Sequence, residues 1–142
     1  MTQEDKDLLL KDLCARLPYG VHLFTNSKHH IRLLTISNDI DYNEQYWVNG
    51  LYDIDEVKPY LRSISSMTEK ELKYFLGIRG KHSTITDFKK YIDNKTAIVS
   101  TLASYKHHID WLNKNMFDYR GLIPLGLAIE VTKDNNPYEE HQ

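Results

Sequence analysis

The sequence predicts an α+β domain with an N-terminal helix, a small curved antiparallel sheet of SH3-like character and a helical C-terminal half. Three observations carry this prediction. Leucines recur at helical spacing at the start of the chain, apolar and polar residues alternate between Val21 and Arg62, and a three-and-four repeat runs from Ile98 to Met116. Residues 1–131 read as one domain, and residues 132–142, TKDNNPYEEHQ, as a flexible polar tail because they offer no apolar face.

The elements follow in order. Thr2 can cap a helix whose first turn carries Glu4 and Asp5, charges that suit the positive end of a helix dipole, and Leu9, Leu10, Leu13 and Leu17 form its apolar stripe. Pro18-Tyr19-Gly20 stops it. Cys14 lies beside the stripe and reads as a small core or boundary residue. The period then becomes two through Val21–Thr25, His30–Ser37 and Tyr46–Val48, with turn-prone Asn26-Ser27, Asn38-Asp39 and Asn49-Gly50 between them. A last extended piece, Glu56–Arg62, contains Pro59, which has no N–H to give a central ladder and so belongs at an edge or a bulge.

The helical half opens on Thr68 and Glu71 at capping-box spacing, with Met67 and Leu72 placed as a hydrophobic staple. That helix reaches about Leu76, and a shorter one is expected around Thr86–Ile92. Ile98, Leu102, Tyr105, Ile109, Leu112 and Met116 mark the main core helix, from roughly Thr96 to Met116. At about 100° per residue Trp111 falls about 220° from Ile98, on the polar face, so either another element covers it or it is an exposed anchor. The segment Leu122–Val131 is the expected cover.

Composition narrows the function classes. With 18 Lys and Arg against 20 Asp and Glu, the net charge of −2 gives no global field toward nucleic acid or anionic membranes, so any such site must be a local patch. The single cysteine excludes an internal disulfide and multi-cysteine metal frameworks, and it fits a reducing, cytoplasmic setting. No export leader is expected at the acidic N-terminus. The longest apolar stretch, Leu122–Val131, holds Pro124 and Glu130 and is about half of what a bilayer-spanning helix needs.

No cofactor or metal is expected. Asp39, Asp41 and Asn43 sit at calcium-loop spacing, but Glu44 stands where a glycine should turn the loop and Gly50 where a glutamate should close the shell. The pairs His29-His30 and His107-His108 point their members to different faces and name no third ligand. Phosphate loops, nucleophile elbows, zinc-protease helices and dinucleotide fingerprints are all missing, so a non-catalytic role is preferred. A catalytic alternative would have to assemble scattered residues such as His107, Asp110 and Arg120.

Charge is segregated along the chain. From Asp39 to Glu56 there are six carboxylates and no Lys or Arg, interleaved with Tyr42, Tyr46, Trp47 and Tyr52. Aromatic rings ringed by carboxylates suit a basic protein partner, and Tyr42, Trp47, Tyr52, Asp53, Asp55 and Glu56 are the expected contact residues. Lys70, Lys73, Lys81, Lys89 and Lys90, with Tyr74, Phe75, Phe88 and Tyr91 among them, form the alternative, a nucleic-acid-associated module.

The stretches TQEDKDLLLKDLCARLPYGV, EVKPYLRSISSMTEKE and DWLNKNMFDYRGLIPLGLAIEV resemble a family of short proteins from gut Bacteroidales genomes, some in prophage-like or other mobile regions. The family carries no assigned activity, so the resemblance implies a mobile-element accessory factor and transfers no site residue. It directs attention to Phe117–Pro124, where Gly121 and Pro124 shape a turn and Arg120 can reach Asp118 or a more distant carboxylate.

Overall fold

The computed structural model describes residues 1–39, 45–76 and 102–139. Tyr42, Lys81, Lys89 and Lys90, the calcium-like stretch from Ile40 onward and the expected helix at 86–92 lie outside them, as do residues 96–101 of the expected main helix. The architecture is mixed α+β, with an N-terminal helix and small, mainly antiparallel sheets. The chain divides into two compact units, Met1–Leu61 with Arg120–Gln142, and Arg62–Tyr119 between them in sequence.

In the first unit, helix α1 (Gln3–Arg16) begins at Thr2, whose hydroxyl accepts the Asp5 N–H at 3.1 Å while the Asp5 carboxylate accepts the Thr2 N–H at 3.4 Å. Its buried face is Leu9, Asp12, Leu13 and Arg16, so an ion pair sits inside the leucine stripe. Cys14 is exposed rather than in the core, and partial desolvation pushes its thiol above the ordinary value, against a reactive thiolate. A 3-10 turn over Leu17–Tyr19 ends at Gly20, where φ is +77° and an added Cβ would lie 2.8 Å from the Arg32 guanidinium. The positive φ favours glycine there, while the Arg32 guanidinium, the end of a flexible exposed side chain, could move aside.

The alternating pattern is shared between two sheets, not gathered into the single curved SH3-like sheet expected. One is ordered β2-β1-β6-β7, from β1 (His22–Thr25), β2 (His30–Arg32), β6 (Val57–Leu61) and β7 (Ile129–Glu130); the other is β3-β4-β5, from β3 (Ile36–Asp39), β4 (Gln45–Val48) and β5 (Tyr52–Asp53). Val57, Pro59 and Leu61 of β6 are buried, with Leu23 and Thr25 of β1 buried alongside. β6 has a neighbour on each side, β1 and β7, where Pro59 leads one to expect an edge or a bulge. The two-residue β7 pairs only Tyr60 and Leu61, so the proline has a ladder partner, Leu23, on one side alone. β7 runs parallel to β6, a long-range pairing that sequence periodicity could not reveal.

The described part of the second unit contains α2 (Glu69–Leu76) and α3 (Leu102–Lys114). The capping box is present, with Glu71 N–H on Thr68 Oγ1 and Thr68 N–H on Glu71 Oε1, both 3.1 Å. Met67 and Leu72 are buried in one cluster with Phe75, Leu112 and Phe117. Arg62 grips Glu71 bidentately at 2.8 and 2.7 Å and lies 4.1 Å above the Phe117 ring. Burial pushes the Glu71 carboxyl up, but the Arg62 and Thr68 hydrogen bonds outweigh it and hold the group below its ordinary value.

The main helix stops at Lys114, short of the expected Met116, because Met116 takes a left-handed turn at φ +61°. Beyond it the described chain is irregular apart from β7, and among the described residues the expected helical half is represented by α2 and α3. Trp111 is half-buried among aromatic rings of its own unit. Tyr74 and Phe117 stack on it and Phe75 meets it at a tilt, each with ring centroids 5.6 Å away. Among the described residues no helix is long and apolar enough to cross a membrane. Trp111→Ala removes the ring shared by three aromatic neighbours and is expected to cost about 2–4 kcal/mol, read as a lower urea midpoint; an unchanged midpoint contradicts this packing.

Candidate functional site

The acidic–aromatic segment occupies β4, β5 and the 3-10 turn at Ile54–Glu56. The β4–β5 hairpin turns through Asn49 and Gly50 at φ +54° and +72°, the pair of positive values a type I′ turn demands. Tyr46 and Trp47, adjacent on β4, are both half-buried. Trp47 pairs in register with Asp53 across the hairpin, and its indole Nε1 is buried with no acceptor among the described residues. Trp47 is therefore partly a core residue.

Tyr52 and Asp53 are half-buried, Ile54 is fully buried and pins the turn, and Asp55 is exposed with Lys6 Nζ 3.9 Å away. Glu56 is half-buried, and its carbonyl accepts the Asn26 N–H at 2.8 Å. Two leucines that sequence reasoning passed over complete this surface, Leu34 at 69% and Leu51 at 74% exposure. Asn49 positions both. Its Oδ1 accepts the Leu34 and Thr35 N–H groups at 2.8 and 3.2 Å, its Nδ2 donates to the Arg32 carbonyl at 2.8 Å, and Leu51 follows it across the turn. Leu51 was legible in principle, because the residue after an Asn-Gly turn starts at the tip of a hairpin.

The lysine segment is less assembled. Lys70 is exposed on α2, and of the Lys73 side chain nothing is described. Phe75 faces inward, whereas Tyr74 is 59% exposed and stacks on Trp111. On α3, His107 and Asp110 are exposed, while His108 packs on Phe75 at 4.6 Å. Burial, and then His107, lower the His108 pKa. Arg120, the third member of the catalytic alternative, is committed to Asp12 at 2.8 Å. Asp118 is buried, and its backbone N–H donates to the Arg62 carbonyl. Among the described residues no group of three His, Cys, Asp or Glu side chains could hold a metal ion.

A second constellation escaped the sequence entirely. His22 and His30 stack with centroids 4.7 Å apart, and Tyr138 meets His22 edge-on at 5.1 Å and Tyr60 meets His30 at 5.7 Å. Tyr138, in the segment expected to be a loose tail, is anchored: its hydroxyl accepts the His22 N–H at 3.0 Å and donates to the Tyr60 carbonyl at 2.7 Å. Burial pushes that hydroxyl well above the ordinary tyrosine value. Beside it opens a cleft of about 250 Å³ lined by His30, Tyr60, Lys133, Asp134, Asn136 and Glu139, among others.

No family model, no curated protein and no solved structure matches the chain. Asn49→Ala removes three side-chain hydrogen bonds and puts a Cβ-bearing residue without local support at positive φ. It is expected to cost about 1–3 kcal/mol in denaturant unfolding; a loss below about 0.3 kcal/mol contradicts its positioning role.

Proposed function

We propose that this chain is a non-catalytic, cytoplasmic interaction protein that binds a basic protein partner through the acidic–aromatic surface around β4, β5 and the Ile54–Glu56 turn. The observation that carries this reading is the exposure of Leu34 and Leu51 in a stretch, Leu33–Val57, that contains carboxylates and no Lys, Arg or His. Apolar anchors inside an acidic rim give contact area at the centre and select positive charge at the edge. Asp55 and the half-buried Asp53 and Glu56 supply the rim, Tyr52 and part of Trp47 the aromatic area, and Tyr42 belongs to the same segment. The resemblance to short proteins of mobile regions supports an accessory role in a phage or other mobile element.

The test uses labelled peptides rich in Lys, Arg and Leu, followed by fluorescence anisotropy. Leu51→Ser, or Asp53→Asn with Asp55→Asn, is expected to weaken binding about tenfold, roughly 1.4 kcal/mol. Raising salt from about 0.05 to about 0.3 M is expected to weaken it further. Trp47→Ala is a poor probe, since it also removes packing. Variants that bind as tightly as the wild type contradict the reading.

One observation favours a second reading, single-stranded nucleic-acid binding on α2. Tyr74 presents a largely exposed ring backed by Trp111, with exposed Lys70 one turn earlier. A ring with a nearby cation is the element of a stacking platform. Under this reading a labelled single-stranded oligonucleotide binds and Lys70→Glu with Tyr74→Ala abolishes it; no binding at low salt removes the reading.

A further inference from the structure

The β1–β2 register sets Phe24 opposite His30 and His22 opposite Arg32, which makes His22 and His30 diagonal neighbours on one face of the ladder. His22 Nδ1 and His30 Nε2 approach to 2.5 Å. A gap of that length holds one hydrogen: one ring nitrogen donates and the other must be an unprotonated acceptor. The pair therefore exists with both rings neutral or with one charged. Two imidazolium rings would aim two N–H groups at each other across the same gap.

The charged and titratable surroundings can be named element by element. From β2, Arg32 acts on His22, and His29 adjoins His30 but is exposed. From β6 Tyr60 faces His30, and from the C-terminal segment Tyr138 faces His22. Lys133, Asp134 and Glu139 border the cleft that His30 lines, and Asp12 and Arg16 of α1 act on the Tyr138 hydroxyl. Arg32 opposes a second proton on the pair.

We infer that the His22–His30 pair is a proton-sensitive clasp for the C-terminal strap, residues 132–139, closed when the pair shares a single hydrogen and opened when both rings are charged. The coupling runs through Tyr138, whose ring leans on the His22 ring and whose hydroxyl bridges the His22 N–H and the Tyr60 carbonyl. When the imidazoles turn apart, the surface that seats Tyr138 is lost with them. Burial, then His30, then Arg32, hold His22 below the ordinary histidine value in the closed form. The open form binds protons more readily, so the closed form is favoured above the ordinary histidine pKa and loses ground as pH falls below it.

The test is hydrogen exchange of the strap amides in the full chain, corrected for the intrinsic pH dependence of exchange. Wild-type protection at 136–139 is expected to fall about tenfold between pH about 7.5 and about 5.5. His30→Ala is expected to abolish that pH response and His29→Ala to preserve it. Tyr138→Phe is expected to leave the strap poorly protected at both values. Equal wild-type protection at the two pH values, or an undiminished fall in His30→Ala, overturns the clasp. Should His30→Ala fail to fold, the wild-type imidazole nitrogen spectrum decides: one ring titrating well below the other supports the shared hydrogen, and two independent titrations near the ordinary value overturn it.

Discussion

The Asp12 carboxylate is the constraint on which the first unit depends. It accepts Arg16 Nε and Nη2 at 2.8 and 3.0 Å from one turn later, and Arg120 Nη1 at 2.8 Å from 108 residues away. Asp12 and Arg16 are wholly buried and Arg120 nearly so, at 15% side-chain exposure. Buried charge is tolerated only when closely paired, so removing one partner is costly even though the assembled group adds little net stability. The consequence is positional. Arg120 opens the second stretch of the unit, and after it Leu122 enters the core, β7 pairs with β6 and Tyr138 reaches β1 and β6.

That return explains why one small unit can carry two differently built surfaces. Beside β3, β4 and β5 the hairpin turn and the Asn49 hydrogen bonds accompany two exposed leucines, Leu34 and Leu51. On β2, β1 and β6 the C-terminal strap crosses the ladder and creates a cleft beside two stacked histidines. The first surface consists of residues close in sequence. The second exists only because distant segments are brought together.

Features governed by near neighbours were legible in the amino acids. Thr2 and Asp5, Thr68 and Glu71, and Asn49-Gly50 each settle their own cap or turn within a few residues, and the structure has all three. The α+β class followed from the same local periods. Features settled by long-range pairing were not. Alternation alone did not say that β3, β4 and β5 would leave the other strands and form their own sheet, or that β7 would pair with β6 just past Pro59. Trp111 was singled out as needing a cover or a partner, and Tyr74, Phe75 and Phe117 pack on it. Asp12 and Arg16, opposite signs one turn apart within a leucine stripe, were the available signal of a buried pair. Nothing local joins His22 to His30 or to Tyr138.

A double-mutant cycle between Asp12→Asn and Arg120→Gln measures the link between α1 and the C-terminal return without counting what each residue does elsewhere. With stability read by denaturant unfolding, the account predicts a coupling of about 1–3 kcal/mol, the double variant being less destabilised than the sum of the singles. Single effects that add to within about 0.3 kcal/mol would mean that Arg120 does not depend on Asp12, and that the return is held by apolar burial alone.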